Sequence, residues 1–599
     1  MNQDTGPDPA YNPAANLLAI APPGCGKTEL LARRAVHLLG ALQPHQRILA
    51  LTFSNRAKQN LRERLLRTLG PQRFSRHVRV TNFHGHAADI IRAHGRTLGL
   101  DPNTPMPGRS TLADAISLFT DGLDIGPAIN RRKAIEAALT AAKQGPYDDH
   151  EVREALAASG NTFAQQIEAK RLAEGIFHYE DLLRHAQRLL RVEEIARLYQ
   201  LHYGAVLVDE FQDMSPQQLE IALGSSSASR TFVGDPLQGI FSWAGARPAE
   251  VERELRDICG EPCRLTVSYR SSPAVLDVVN HVATRLDDVA DLRSVRPDAW
   301  LQGGAAATAG FNSGAEEAGW IVDQATEILS AFPKATIGVI TRSGWRRKYV
   351  DAAFSDAVHL RCQRWDLAIE DSTMVQRLVV TVAQLPRQAD MERLRGAVIG
   401  GIDPSDVDTM EQATNALSEF ESLAIQAGSL AAAAAQLRIV EEGSAIEPGV
   451  HLLNAHTGKG QQFDWVFVPG FEDWHIPDGR ADTAEQLAEE LRVVLVMVSR
   501  ARHGIVITRA RSLISKAGNP YPTRESQWWP VIVEACPMNA NTLAQHISAL
   551  VTQAAPRDES VSAPPQASEQ VRTEVSEDSV AAGTVGQWPL RPSSASRPE

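Results

Sequence analysis

Residues 21–28 combine glycine, lysine and a hydroxyl side chain in one short stretch. Glycines let backbone N–H groups curl around phosphate oxygens, a lysine adds positive charge, and a threonine hydroxyl can bind Mg²⁺. The strict form of such a loop begins with glycine, whereas this stretch begins with alanine. The pattern predicts a phosphate site, and a glycine-rich turn that only caps a helix is the alternative. The candidate residues are Ala21, Pro22, Pro23, Gly24, Cys25, Gly26, Lys27 and Thr28.

A second polar cluster follows the apolar run 205–208, where the sequence reads LVDEFQD. Asp209, at the end of this run, can hold a metal ion, and Glu210 beside it can activate a water molecule. A solvated acidic turn is the alternative interpretation. Together with the glycine-rich loop, the two carboxylates predict Mg²⁺-dependent hydrolysis of a nucleoside triphosphate.

The elements around these clusters predict an α/β fold. Apolar runs that end in polar residues alternate with segments of helical periodicity, which is typical of a parallel sheet with its site at the carboxyl edge. Between about residues 95 and 176, helix formers dominate and β-branched runs are absent, which indicates an inserted helical unit. The predicted strands of this first core are 16–20, 47–53, 205–208 and 231–233.

The second half of the chain predicts another α/β core of the same kind. Its helix-biased stretch 386–445 is long enough only for a small insertion. From about Arg557 onward, Ser, Pro, Glu and Ala prevail and large apolar residues almost vanish, which predicts a disordered tail. The predicted strands of the second core are 336–341, 450–453, 464–468 and 505–508.

Composition narrows the class of protein further. The 599 residues exceed one typical domain several-fold, and 43% hydrophobic and 22% charged residues are typical of globular chains. Five cysteines provide neither a disulfide framework nor a zinc spacing, so we expect a reducing cytoplasm and no metal besides Mg²⁺. We expect neither a signal peptide nor a membrane partner. The net charge of −12 does not exclude nucleic acid, because a basic groove can occupy one face.

Taken in order, the motifs resemble those of the UvrD/Rep-like family of superfamily 1 DNA helicases. The resemblance spans roughly residues 16–345 and 446–512. Beyond the loop and LVDEFQD, the segments that carry it are LALTFSNRAKQNLRERL, VTNFHGHA, FHYEDLL, VGDPLQGIFSWAGA, SYRSS, NAHTGKGQQFDWVFVPG and EELRVVLVMVSRA.

The resemblance implies two RecA-like P-loop NTPase domains with helical insertions, with ATP bound between the domains. It also implies single-stranded DNA running across both domains, and movement in the 3′ to 5′ direction. The predicted parts are the first RecA-like domain at 1–95 and 177–270, its insertion at 96–176, the second RecA-like domain at 271–385 and 446–545, a reduced insertion at 386–445, and a disordered tail at 546–599.

Carried over by position, the resemblance assigns a nucleotide role to several residues. Lys27, Thr28, Asp209 and Glu210 keep the roles described above. In addition, Gln238 resembles the glutamine that senses the γ-phosphate, Tyr269 the aromatic residue that stacks on adenine, and Arg270 and Arg500 the two arginines that reach the γ-phosphate.

A second group of positions resembles the family's DNA contacts. Four aromatic residues match positions where bases stack, although ordinary core packing is the alternative for each. Arg342 resembles a backbone contact, and His456 and Lys459 resemble the motif that couples nucleotide state to DNA. The aromatic residues are Phe53, Phe83, Phe241 and Trp243.

The sequence also departs from the family pattern. Ala244 and Gln462 replace an arginine and a glutamate, the adenine-reading segment before Ala21 lacks a counterpart, and the second insertion is short. We therefore predict an ATP-dependent DNA helicase or translocase that moves 3′ to 5′ on single-stranded DNA and unwinds duplex junctions. Translocation requires fewer assumptions than autonomous unwinding, because the second insertion is short. The alternative is a nucleotide-gated subunit of a repair or phage-defence complex that needs a protein partner such as a nuclease.

Overall fold

Two parallel β-sheets organise the fold, as the sequence predicts, and helices cover their faces. The mixed α/β architecture is consistent with two RecA-like domains. The computed structural model describes residues 8–53, 55–104, 107, 109–120, 125–240, 245–286, 291–342, 344–365, 372–386, 388–402, 410, 413–414, 416–417, 420–421, 424–425, 429–436, 446–515 and 518–554.

The first sheet has six strands in the order β3-β2-β4-β5-β1-β6, and every neighbouring pair is parallel. Its central strand β4 is buried along its whole length, so its sequence is continuously apolar up to the final aspartate. The strands are β1 (Asn16–Ile20), β2 (Arg47–Thr52), β3 (Val78–Asn82), β4 (Tyr203–Asp209), β5 (Arg230–Gly234) and β6 (Cys263–Arg264).

The second sheet has seven strands in the order β11-β12-β10-β13-β14-β9-β17, again with parallel pairs only. Two short pairs, β7–β8 and β15–β16, lie outside both sheets. The strands after β6 are β7 (Val267–Ser268), β8 (Arg293–Ser294), β9 (Ala305–Phe311), β10 (Thr336–Thr341), β11 (Cys362–Arg364), β12 (Gly449–Asn454), β13 (Phe463–Val468), β14 (Ala501–Ala510), β15 (Ser512–Ile514), β16 (Pro520–Pro522) and β17 (Met538–Asn539).

Helices connect the parallel strands and supply the insertions. Among the described residues, no helix is both long and apolar enough to cross a lipid bilayer. The helices are α1 (Lys27–Leu39), α2 (Asn55–Leu69), α3 (Pro71–His77), α4 (Phe83–His94), α5 (Arg109–Thr120), α6 (Ile125–Lys143), α7 (Asp149–Ala158), α8 (Thr162–Glu174), α9 (Tyr179–Leu190), α10 (Glu193–His202), α11 (Pro216–Ser225), α12 (Pro248–Cys259), α13 (Pro273–Ala283), α14 (Gly314–Ala331), α15 (Gly344–Asp356), α16 (Ser372–Gln384), α17 (Met391–Ile399), α18 (Leu430–Gln436), α19 (Ala484–Val498), α20 (Trp529–Ala535) and α21 (Ala540–Ala554).

A buried ion network joins the first helical insertion to the sheet-covering helix α9. Asp181 of α9 is fully buried and receives Lys143 of α6 at 3.0 Å and Arg184 at 2.8 Å. Arg171 of α8 approaches the same carboxylate at 3.4 Å and pairs with Glu168 at 2.7 Å. Although burial opposes its charge, the three cations hold the pKa of Asp181 far below its usual range.

We expect Asp181→Asn to destabilise the protein by about 3–5 kcal/mol, because it leaves buried cations without their shared anion. Since the pKa of Asp181 is lowered on folding, its contribution is present above about pH 4 and is lost as the pH falls further. Urea unfolding measures both effects. Glu136→Gln is the control, because its pair with Arg132 is exposed and should change stability by less than about 1 kcal/mol. Equal stability of the two variants would contradict the expectation.

Two predicted boundaries need correction. Met374 and Leu378 of α16 pack with Leu394 and Val398 of α17 in one separate cluster, so α16 belongs with the small insertion although the predicted insertion began at 386. The amphipathic spacing of α16 did not reveal which core its apolar face would join. The tail was predicted from residue 546, but residues 546–554 complete helix α21.

Helix α21 is ordered by packing that the composition of the tail obscured. Leu543, Ile547 and Leu550 lie at helical spacing and are buried in the cluster that covers the second sheet. This apolar face offsets the entropy of ordering the segment. The remaining part of the predicted tail, 555–599, lies outside the described residues.

Candidate functional site

The glycine-rich loop runs from the end of β1 into helix α1 in the conformation that its glycines permit. Gly24 and Gly26 adopt φ values of 81° and 85°, in the left-handed region that disfavours side chains. A Cβ on Gly24 would also lie 2.6 Å from Ser268 Oγ. Lys27 and Thr28 therefore begin α1, where backbone N–H groups and the helix dipole favour an anion.

The first residues of the loop anchor it to the sheet. The amide of Ala21 donates to the carbonyl of Gly234 at 2.8 Å, and Pro23 is buried beside it. The carbonyl of Pro22 accepts from the amide of Cys25 at 3.1 Å. Burial raises the pKa of the Cys25 thiol to about 12, so this cysteine is a space-filling residue and its thiol stays protonated.

The two carboxylates at the end of β4 have different environments. Glu210 accepts from Lys27 Nζ at 2.6 Å and from Gln212 Nε2 at 2.7 Å. Burial alone would raise its pKa, but Lys27, Lys459 and these hydrogen bonds lower the pKa to about 2. Burial and the adjacent Glu210 raise the pKa of Asp209 to about 7. Glu210 is thus the ionised member of the pair.

The residues present fit a magnesium ion. Asp209 is 6% exposed, and its Oδ1 is buried with no hydrogen-bond partner among the described residues. A hard cation would satisfy this oxygen, and Mg²⁺ is usually held by one or two carboxylates together with substrate phosphates. The hydroxyl of Thr28, in the first turn of α1, is the second protein oxygen that could bind Mg²⁺.

Gln238 lies at the centre of the contacts that cross between the two sheets. It follows β5, and its Nε2 donates to Asp235 at 2.7 Å. Its side-chain oxygen accepts from Arg500 at 3.0 Å, and its carbonyl accepts from Lys459 at 2.9 Å. Lys459 follows β12 and Arg500 follows α19, which both belong to the second core. Gln238 therefore contacts two residues of the second core at once.

Arg270 and Arg500 bring two positive charges to the loop. Burial together with the charges of Arg500 and Arg502 lowers the pKa of Arg270 to about 9, and burial lowers that of Arg500 to about 10. Arg500 is 2% exposed and donates to the Val496 carbonyl at 2.9 Å. No ion pair joins either arginine to a carboxylate within the described ranges. A pair of cations, Arg500 buried and Arg270 half-buried, matches a polyphosphate anion.

Tyr269 lies beside the loop with its ring open to solvent. Its amide donates to the Gly24 carbonyl at 2.9 Å, and its side chain is 63% exposed. An exposed ring held next to a phosphate loop can stack on a base. The geometry therefore suits the adenine contact that the resemblance implies.

Two of the four aromatic residues predicted on the DNA path can be compared with the structure. Phe83 begins α4 and is 1% exposed within the core beneath the first sheet, so the prediction that it stacks on a base is wrong for this conformation. A fully buried ring has no face to offer. Phe53 is half-buried at the end of β2 and stays a candidate. Phe241 and Trp243, with the departure at Ala244, lie outside the described residues.

The remaining DNA candidates are held by protein contacts. Arg342, after β10, makes two contacts with Glu490 of α19, one of them at 2.9 Å. Burial and the charge of Arg342 lower the pKa of the neighbouring His456 to about 4, so its imidazole is neutral near pH 7. Gln462, the second departure, is half-buried before β13.

Lys459 is a contact across the cleft rather than an open DNA ligand. Its ammonium bonds both carboxylate oxygens of Asp213 at 2.7 Å as well as the Gln238 carbonyl. Its assignment to a DNA contact therefore needs correction for this conformation, since a DNA phosphate would have to replace Asp213. The position of Lys459 agrees better with the other role that the resemblance implies, which is to couple the nucleotide state to DNA.

Several residues of the site had no assigned role in the sequence. Gln212 donates to Glu210 and accepts from the amide of Asp235 at 2.9 Å, while Asp213 receives Lys459. Gln212 and Asp213 lie in LVDEFQD, so the motif itself was a usable signal. Glu490 lies in EELRVVLVMVSRA, so a motif flagged this residue as well, although its partner Arg342 is 148 residues away.

We expect Lys459→Met to destabilise the protein by about 3–5 kcal/mol, because it leaves the 3%-exposed Asp213 carboxylate without its cation. In a double-mutant cycle with Asp213→Asn, the two losses should be strongly non-additive. Urea unfolding of the four proteins gives the coupling, and Lys334→Met, at an exposed position, is the control. Additive losses would contradict a direct contact.

Fold and site together define a P-loop protein with two RecA-like cores whose facing edges share one anion-binding cleft. The model of the UvrD/REP helicase N-terminal domain matches residues 2–258, and that of the UvrD-like helicase C-terminal domain matches residues 405–512. The two matches together cover more than half of the chain. The chain belongs to the UvrD/Rep-like helicase family.

Curated relatives agree with this family. The chain is 28% identical over 271 residues to ATP-dependent DNA helicase Rep of Escherichia coli, which covers 44% of this chain and 40% of Rep. It is 29% identical to ATP-dependent DNA helicase PcrA of Leuconostoc citreum, over 44% of this chain and 37% of that protein. These matches span about two fifths of each relative. DNA helicase II of Rickettsia typhi is 23% identical over 83% of this chain and 90% of its own length.

Proposed function

We propose that this protein hydrolyses ATP and uses the energy to move 3′ to 5′ along single-stranded DNA, unwinding duplex at a junction. The observation that carries the proposal is that the candidate nucleotide site draws on both sheets. Lys27, Glu210 and Gln238 come from the first sheet, while Lys459 and Arg500 come from the second. Hydrolysis that changes the contacts of one sheet must therefore act on the other.

Each protein group has a distinct task in this proposal. The loop amides and Lys27 bind the β- and γ-phosphates, and Glu210 accepts the proton of the attacking water. Arg270 and Arg500 stabilise charge on the γ-phosphate from two sides of the cleft. Bound at Thr28 and Asp209, Mg²⁺ would offset part of the triphosphate charge.

The cross-cleft contacts suggest how DNA could influence hydrolysis. Lys459 follows β12 in the segment that resembles the coupling motif, and Asp213 lies three residues after Glu210. A strand of DNA that displaces or tightens this segment would act on Gln238, which accepts from Lys459, and through Gln238 on Arg500. DNA binding would in this way bring the catalytic Arg500 into contact with the nucleotide.

Steady-state ATP hydrolysis with and without single-stranded DNA tests the proposal. We expect strong stimulation by DNA, and its loss in Glu210→Gln excludes a contaminating ATPase. Hydrolysis that ignores DNA would overturn the motor function.

Directional assays test the finer part of the proposal. A 3′–5′ motor should displace streptavidin from a 5′-biotinylated strand faster than from a 3′-biotinylated one. It should also unwind a partial duplex with a 3′ tail and leave a 5′-tailed duplex paired. The helicase names of the relatives favour this motor over the alternative subunit that needs a nuclease partner.

A further inference from the structure

Trp474, in the loop after β13, combines exposure with an unusual backbone conformation. Its side chain is 72% exposed, and its φ is 71°. A positive φ is a real cost for a bulky residue, and such costs tend to persist where function needs them. Glu210, in the nucleotide site, is another of the non-glycine residues with positive φ in the described part of the chain.

The loop around Trp474 is rigidly held. The buried carboxylate of Glu472 pairs with Arg346 at 3.0 Å and accepts from the amide of Ala510 at 2.6 Å. The amide of Asp473 donates to the carbonyl of Arg524 at 3.0 Å. These contacts on the residues just before Trp474 fix its backbone, so the left-handed conformation is imposed by the fold.

Gly479 leaves space for the Trp474 ring because it has no side chain. A Cβ on Gly479 would lie 2.1 Å from the benzene edge of the Trp474 indole, and its φ is outside the left-handed region. The ring therefore lies against the backbone of residue 479, where any larger residue would push it away. The benzene part of the indole packs on protein, while the side chain as a whole stays mostly open to solvent.

Charged side chains of both signs, two arginines among them, surround the ring at the edge of the second sheet. Arg480, adjacent to Gly479, is 78% exposed and pairs with Asp478 at 2.6 Å, while Arg524, whose carbonyl accepts from the amide of Asp473, is also exposed. Strands β12 and β13 are both parallel to β10, so the segment 455–460 and the Trp474 loop emerge at the same carboxyl edge. An aromatic face with nearby cations is the chemistry that binds single-stranded nucleic acid.

We propose that Trp474 is a stacking platform for an unpaired nucleobase of single-stranded DNA, held ready by Gly479. This inference rests on the proposed function, because it adds a base contact to the same DNA path. A single ring flanked by arginines suits a planar base better than the broad apolar surface of a protein partner.

Three variants of the full chain test the platform by fluorescence anisotropy with a labelled oligothymidylate. Trp474→Gly removes the ring and suits the left-handed backbone, so it should keep or raise the melting temperature while weakening DNA binding about 5- to 150-fold. Trp474→Phe retains an aromatic face and should bind nearly as wild type. Gly479→Ala displaces the ring and should weaken binding by a similar factor as Trp474→Gly.

The combination of variants separates stacking from other roles. Trp474→Gly with Gly479→Ala should be no weaker than Trp474→Gly alone, and an abasic strand should bind wild type and Trp474→Gly equally. Leu198→Ala, at an exposed apolar position on α10, is the control. Unchanged DNA affinity of Trp474→Gly would overturn the platform, as would an equal loss of affinity for the abasic strand. A wild-type chain that fails to bind DNA would instead overturn the proposed function.

Discussion

Arg500→Ala should lower kcat for ATP hydrolysis by about 10³- to 10⁵-fold, the range that an arginine finger contributes. Its guanidinium is buried, bonded to Gln238 from the opposite sheet, and paired with no carboxylate in the described part of the chain. A γ-phosphate is the anion that would complete this environment. Because the charge it stabilises develops during the reaction, kcat should fall far more than the affinity for ATP.

Arg500→Lys and Arg492→Ala sharpen the test. Lysine keeps the charge but lacks the planar fork that contacts Gln238 and Ser499 together, so most of the rate loss should remain. Arg492 lies on the same helix α19, half-buried near Glu489, and its loss should leave kcat within a few-fold of wild type. Steady-state kinetics at saturating ATP measures all three. A kcat of Arg500→Ala close to wild type would remove the finger assignment.

Glu210→Gln should lower kcat about 10²- to 10⁴-fold, as expected when a general base is lost. The amide is nearly the same size as the carboxylate, so the chain can keep its path at φ 57°. It cannot accept a proton from water, and it no longer neutralises Lys27, which lies 2.6 Å away. ATP should therefore bind at least as well as in wild type while hydrolysis slows by this factor.

The decisive comparison is between binding and turnover. Equilibrium binding of ATP together with single-turnover hydrolysis distinguishes a lost base from a lost phosphate site. Glu220→Gln on α11 is the matched control, because that glutamate pairs with Arg191 on the surface. If Glu210→Gln lost ATP binding in parallel with turnover, its role would be to position Lys27, and the base assignment would fail.

Much of the fold followed from local patterns. The predicted strand at 336–341 coincides with β10, and those at 205–208 and 464–468 lie within β4 and β13. Strand β9 was missed because its sequence, AAATAGF, is rich in alanine and lacks the β-branched residues typical of strands. It forms because β14 and β17 pair with it on either side. Tertiary pairing overrode weak local propensity there.

The boundary errors have the same origin. Helices α16 and α21 carry apolar faces that the sequence displays, but the sequence does not say which core receives them. Phe83 shows the converse case, since an aromatic residue after a strand can end in the core or on the surface. Burial depends on what packs against an element, and that is a property of the assembled chain.

The sequence by itself determined the loop that begins at Ala21, the carboxylates Asp209 and Glu210, and the order of the two cores. Each of these depends on neighbours within a few residues, where glycine conformation and strand ends act locally. Only the tertiary structure decided that Lys459 meets Asp213, 246 residues away, and that Gln238 joins Arg500 across 262 residues. Such contacts arise when two separate sheets meet, so no local pattern encodes them.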